Sequence, residues 1–399
     1  MVQQQVQVHG STIAVAYEVE SNVVSALGGD AGSELRARLD AINGISTPED
    51  AERASKNFQG LTKGLVAEIK DLTQSFALRY WIIDNSGSMS TADGHKVIID
   101  SKGLPVSVQC SRFDELASTL TWHADVADAM GAWTQFRLVN AAIGCPETVT
   151  IGSASSKAGG VKRLQQISRS MPLGKTPLCA AVRGVVAEVS EVSAALKAAG
   201  KRALVVIASD GEATDGDVSE ALKPLADLPV SVVVRLCTDD ARFVKYWNAI
   251  DDDLELELDV LDDVTGEAEE VGKVNGWLCY SPFLQRLREF GSHVKIIDLL
   301  DERALSMFEI RQFVIYLLGD EVETALPHPD AEPAAFRSAV EELLSFEELQ
   351  WDPLSCKKAP WVDVQRLATK GPVTKPRRKS APQNREDPGL SKSASCNVS

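Results

Sequence analysis

The sequence has no apolar run long enough to span a bilayer, which takes about 20 residues. It also lacks a basic N-terminal end followed by an apolar stretch, since it opens Met1-Val2-Gln3-Gln4-Gln5. No secretory signal is therefore expected, and the chain reads as cytoplasmic. There is no C-x-x-C pair. The seven cysteines (Cys110, Cys145, Cys179, Cys237, Cys279, Cys356 and Cys396) are scattered and odd in number. That argues against a zinc site or a disulfide framework and for reduced thiols. The five histidines (His9, His95, His123, His293 and His328) form no nucleophile–base motif and have no metal-ligand spacing. Positive charge is also scarce. A net charge of −16 argues against general nucleic-acid binding, which needs basic surface to replace phosphate counterions.

What is present is enough to fold. At 399 residues, with 44% apolar and 25% charged side chains, the chain suits one large domain with extensions, or two domains. Apolar strand patterns at Leu78–Ile83, Trp133–Val139, Ala203–Ala208 and Val230–Cys237 alternate with helical spacing. The helical stretches include Phe113, Leu116 and Leu120, and the stripe Leu178, Val182, Val185 and Val189, which Gly200 ends. This alternation predicts an α/β fold with a mostly parallel sheet flanked by helices. Leu254 to Val260 alternates apolar and acidic residues and predicts a half-exposed edge strand, preceded by the solvated acids Asp251-Asp252-Asp253. Residues 1–75 read as an N-terminal extension. It has a candidate hairpin around His9-Gly10-Ser11, a helix starting at Thr47-Pro48 and a second over Leu61–Phe76. Residues 291–369 read as a helical extension. The tail from 370 to 399 is basic, rich in Pro and Ser and nearly free of large apolar residues, which predicts disorder.

The chemistry concentrates in three segments. Tyr80-Trp81-Ile82-Ile83-Asp84-Asn85-Ser86-Gly87-Ser88-Met89 is an apolar strand ending in one carboxylate and two hydroxyls at alternate positions. Gly174-Lys175-Thr176-Pro177-Leu178 opens a long helix. Leu204 to Ser209 is a second apolar strand, ending in Asp210-Gly211-Glu212. Carboxylate and hydroxyl oxygens are hard ligands suited to Mg2+ or Ca2+. The set D-x-S-x-S, G-x-T-P-L and an apolar strand with S-D-G-E resembles the von Willebrand factor type A (vWA) family over about residues 78–290. The resemblance implies a Rossmann-like vWA domain at 76–290. It also implies a metal-ion-dependent adhesion site in which Asp84, Ser86, Ser88, Thr176 and Asp210 surround Mg2+, Mn2+ or Ca2+. The implied partner is a protein that offers the ion an acidic side chain, so the expected role is a scaffold or adaptor and not an enzyme. In the usual vWA pattern the first helix follows the metal loop closely. Here a strand–turn–strand pattern over His95–Asp100 and Leu104–Cys110 intervenes at the ligand-binding edge.

Other readings compete. Gly174-Lys175-Thr176 also ends a phosphate-binding loop, but that motif needs a glycine where Arg169 stands and a strand just before it. A Mg2+-dependent phosphatase-like enzyme of the haloacid-dehalogenase type would use Asp84 as nucleophile, but it wants a second acid where Ser86 stands. The last four residues, Cys396-Asn397-Val398-Ser399, fit a C-a-a-X box with Cys396 as prenyl acceptor, although Asn397 is not aliphatic. With the basic tail, that would make a two-signal membrane anchor on a membrane-recruited regulator. The alternative is an ordinary disordered tail.

Overall fold

The computed structural model describes residues 58–368, except 59, 102–103, 143–145, 153–158, 239 and 255. The candidate hairpin near His9, the helix at Thr47, Cys145, the 370–399 tail and Cys396 lie outside the described residues.

Two strands form the centre because they can be covered on both faces. β1 (Phe76–Ile83) and β6 (Arg202–Ser209) pair in parallel, with Trp81 opposite Val206 and Ile83 opposite Ala208. Every residue of β1 is buried, as is every residue of β6 after Arg202. Around them lie β4 (Thr134–Leu138), β5 (Thr148–Ile151), β7 (Val230–Leu236) and β8 (Leu258–Leu261). The six-stranded order is β5-β4-β1-β6-β7-β8, parallel except for β5 against β4. The chain winds outward from β1 in one direction and from β6 in the other. This is a doubly wound, Rossmann-like sheet whose switch point falls between β1 and β6.

The alternation of side chains along each strand feeds two cores. On one face Leu78, Tyr80, Ile82, Val205, Ile207, Val232 and Val234 pack with α4 (Leu178–Ala198), α5 (Val218–Leu222) and α6 (Ala241–Asp253). The expected stripe Leu178, Val182, Val185 and Val189 is the buried side of α4, and left-handed Gly200 (φ 62°) follows its end. On the other face Trp81, Ile83, Val206 and Val233 meet α2 (Arg112–Met130) and α3 (Gly160–Ile167). The same core continues into α1 (Lys63–Ser75), α7 (Val264–Val274), α8 (Pro282–Glu289), α9 (Lys295–Glu302), α10 (Met307–Leu318) and α11 (Pro333–Leu344). The N- and C-terminal helices are therefore built onto one face of the sheet. Helix α1 approaches α10 so closely that a Cβ at Gly64 would lie 1.9 Å from the Tyr316 carbonyl oxygen.

Three elements depart from expectation. The acidic edge strand is shorter than its alternation suggests. Helix α6 runs through Asp251-Asp252-Asp253, and β8 covers only the stretch that finds partners on β7, Val232 to Arg235. Helix α7, with glycines at 266 and 272, was not legible as a helix. The C-terminal region also ends in a small hairpin, β9 (Gln350–Asp352) with β10 (Lys357–Ala359). The expected insert is a separate two-stranded ribbon, β2 (Gly94–Ile99) against β3 (Pro105–Cys110), which does not join the six-stranded sheet.

Candidate functional site

The switch point places two acids side by side, because β1 and β6 are neighbours and each ends in an aspartate. Asp84 follows β1 and Asp210 follows β6, and both are buried. The Asp84 loop is held on three sides. Its Met89 is fully buried in the core. Asn85 exchanges two hydrogen bonds with the backbone of Asn140, Nδ2 donating to the carbonyl at 3.0 Å and Oδ1 accepting from the amide at 2.9 Å. The Gly87 amide donates to the Gly174 carbonyl at 3.1 Å, which docks the loop before α4 against it. Gly174 is suited to that contact, with φ at 91° and the Asn140 side chain 3.0 Å from where a Cβ would sit.

Within this frame Asp84 Oδ1 accepts from the Ser86 amide at 2.8 Å, closing a tight Asx turn. Asp84 Oδ2 accepts from the Ser209 hydroxyl at 2.6 Å. The Ser86 and Ser88 hydroxyls are 3.0 Å apart, and Ser88 donates to Asp210 Oδ1 at 2.9 Å. Four of the five expected residues, Asp84, Ser86, Ser88 and Asp210, thus form one hydrogen-bonded cluster. Thr176 lies on the adjoining loop. Its backbone exchanges hydrogen bonds with Thr214, whose hydroxyl accepts from the Thr176 amide at 3.1 Å. Its own side chain is not hydrogen-bonded to the other four.

Three contributors were not legible in the sequence. Ser209 reads as the last residue of a buried strand, yet its hydroxyl is a direct partner of Asp84. Arg112 donates through Nη1 to Asp210 Oδ2 at 2.9 Å and grips Asp93 with Nε and Nη2. Asp215 caps α4 from a distance, accepting from the Cys179 and Ala180 amides at 3.0 and 2.8 Å. For Ser209 and Asp215 the signal was the general enrichment of Asp and Ser at strand ends and helix starts.

The electrostatics set Asp84 apart. Burial pushes its carboxyl above the ordinary range; the Ser209 and Ser86 hydrogen bonds pull it back, and Asp210 nearby adds to the rise. Its hydrogen-bond donors are an amide and a hydroxyl, so the buried charge is met only by neutral groups. Such a carboxylate gains from a cation at close range. Among the described residues, no group of three or more His, Cys, Asp or Glu side chains is arranged to hold a metal ion. A cation here would have to rely on hydroxyls together with the two carboxylates. An all-oxygen set of this kind fits a hard divalent ion and not a soft one.

Deeper in the sheet a second polar cluster lies under the hairpin. Buried Arg235 donates to Glu115 at 3.0 Å and to Glu289 at 3.3 Å, and Glu289 contacts the buried His123 ring at 3.0 Å. Glu115 also accepts from the His95 amide, so this cluster reaches the base of the β2–β3 ribbon.

The fold and site define an α/β protein with a doubly wound sheet and an acid- and hydroxyl-lined switch point. In comparison with known proteins, the chain matches no family model and no curated protein. No helix among the described residues is long and apolar enough to cross a membrane.

Proposed function

We propose that the chain is a vWA-type protein that binds a protein partner through a divalent cation at the switch point, acting as a scaffold or adaptor. Asp84, Ser86, Ser88, Thr176 and Asp210 would hold Mg2+, Mn2+ or Ca2+. The observation that carries this reading is the Asp84–Ser86–Ser88–Asp210 cluster at the carboxyl ends of β1 and β6. It combines a buried carboxylate lacking a cationic partner with hydroxyls that could serve as neutral ligands. When bound there, the ion supplies an electrophilic centre for an acidic side chain of the partner. The hydroxyls leave more of the ion's charge uncompensated than carboxylates would. The β2–β3 ribbon, with Val97, Ile98 and Ile99 exposed, offers apolar surface to the same partner.

The test is isothermal titration of the folded protein with Mg2+ and Mn2+, set beside Asp84→Ala. Binding that the substitution abolishes supports the reading, and a flat titration of the wild type sinks it. A pull-down in Mg2+ and in EDTA, with wild type and Asp84→Ala, then identifies a partner lost under both perturbations.

A further inference from the structure

Arg112 is the first residue of α2, a 19-residue helix, just after the N-cap Ser111. A cation is disfavoured there, because helix N-termini carry partial positive charge. Nothing local rewards this position. Its reward comes from two acids on other elements. Nε reaches Asp93 Oδ1 at 2.8 Å and Nη2 reaches Asp93 Oδ2, a bidentate fork at the foot of the ribbon. Nη1 reaches Asp210 Oδ2 at 2.9 Å. The Asp93 side chain is 41% exposed, that of Arg112 13% and that of Asp210 1%, so the guanidinium stands between solvent and the buried acid. The backbone completes the latch, with the Arg112 amide donating to the Thr91 carbonyl at 3.0 Å. Asp210 is left with one carboxylate oxygen on Arg112 and the other on Ser88.

We infer that Arg112 is the site's resident cation and sets how tightly the site takes a divalent ion. By occupying Oδ2 of Asp210 it competes for the second acid. It leaves Asp84 as the only site carboxylate not already paired with a cation. This inference rests on the metal reading proposed above. Asp93 acts in the opposite sense to Arg112, because it shares the guanidinium with Asp210, its fork taking Nε and Nη2 and leaving Nη1 for the site acid. The latch also makes ion affinity depend on the ribbon, since Asp93 lies at the ribbon's base.

The test is titration of Mn2+ into the full chain in four forms: wild type, Arg112→Gln, Asp93→Asn and Asp84→Ala. Removing one positive charge at this range should tighten Mn2+ binding about tenfold in Arg112→Gln. Asp93→Asn keeps the arginine but frees its fork for Asp210, and should weaken binding. Asp84→Ala should abolish it. Thermal melts in EDTA establish that each variant is folded; if Arg112→Gln does not fold, Arg112→Met, which removes the same charge, takes its place. Wild-type binding that Asp84→Ala abolishes but Arg112→Gln leaves unchanged or weaker overturns the role of Arg112 and leaves the metal reading standing. Tighter binding in Asp93→Asn likewise overturns the inference. No binding in either wild type or Arg112→Gln removes both.

Discussion

Replacing Asp84 separates its structural role from its proposed ligand role, because two substitutions should act with opposite sign. The carboxylate is fully buried and meets one amide and one hydroxyl, with Asp210 adding repulsion. In Asp84→Asn the amide oxygen can keep the Ser86 amide. The new NH2 can donate to Ser209, whose hydroxyl turns toward the Gly211 carbonyl, 3.4 Å away. The hydrogen bonds survive and the buried charge goes. The metal-free protein should gain about 0.5–2 kcal/mol, the usual size of a single stabilising substitution. Asp84→Ala instead leaves the Ser86 amide unpaired in the interior, at about 1–3 kcal/mol, and the Ser209 hydroxyl with only its long contacts to Gly211. The pH dependence follows from the direction of the shift. A carboxyl raised in the fold binds its proton more tightly there than in the unfolded chain. Wild-type stability therefore falls as pH rises through the interval between the unfolded and folded values, while the Asn variant is spared. The advantage of Asn should be largest at neutral pH and shrink toward pH 3. Denaturant unfolding in EDTA at several pH values measures this. Saturating Mg2+ or Mn2+ should then reverse the ranking, because a ligand at 100 times its Kd adds about 2.7 kcal/mol to the wild type alone. If Asp84→Asn is destabilised in EDTA at neutral pH, the carboxylate is already well compensated and the reasoning fails.

Gly64→Ala should destabilise the protein by more than about 1–3 kcal/mol, since its Cβ would meet the Tyr316 and Leu317 carbonyls at 1.9 and 2.7 Å and α1 would have to withdraw from α10. A lowered midpoint with an unchanged denaturant slope would establish this, and wild-type stability would refute the packing. Glu289→Ala removes the acid shared by Arg235 and His123 in the interior and should cost about 3–5 kcal/mol in the same assay, where a loss under 1 kcal/mol would show the network to be dispensable. Burial raises the Glu267 carboxyl to about 7 against the pull of Arg288. The wild type should therefore lose stability relative to Glu267→Gln as pH climbs from about 4.5 to 7 and level off above, and a gap that stays flat across that window contradicts the shift.

How far the sequence could be read depended on the range of the interactions. Strands β1 and β6 were legible because residues buried on both faces leave an unbroken apolar run, and α4 because one buried side leaves a 3.6-residue stripe. Asp84, Ser86 and Ser88 were legible as a group because a single turn brings them together. The limits have the same cause. Alternation alone extended β8 back to Leu254, but a strand exists only where a neighbour supplies hydrogen bonds, and β7 supplies them only from Val232 to Arg235. Arg112 pairs with an acid 98 positions away and Ser209 with one 125 positions away. Neither pairing leaves a local trace, and Arg112 in isolation looks like a solvated residue on the first turn of a helix. The groups that would hold an ion are thus encoded in short motifs. The groups that would tune it arrive through strand order, which sets the ends of β1 and β6 beside each other and swings the start of α2 over them. Arg112 does leave one indirect sign, a cation at a helix N-terminus where local electrostatics disfavours it. Such a mismatch between a residue and its local setting is where the sequence points to a distant partner, and here that partner is the second acid of the site.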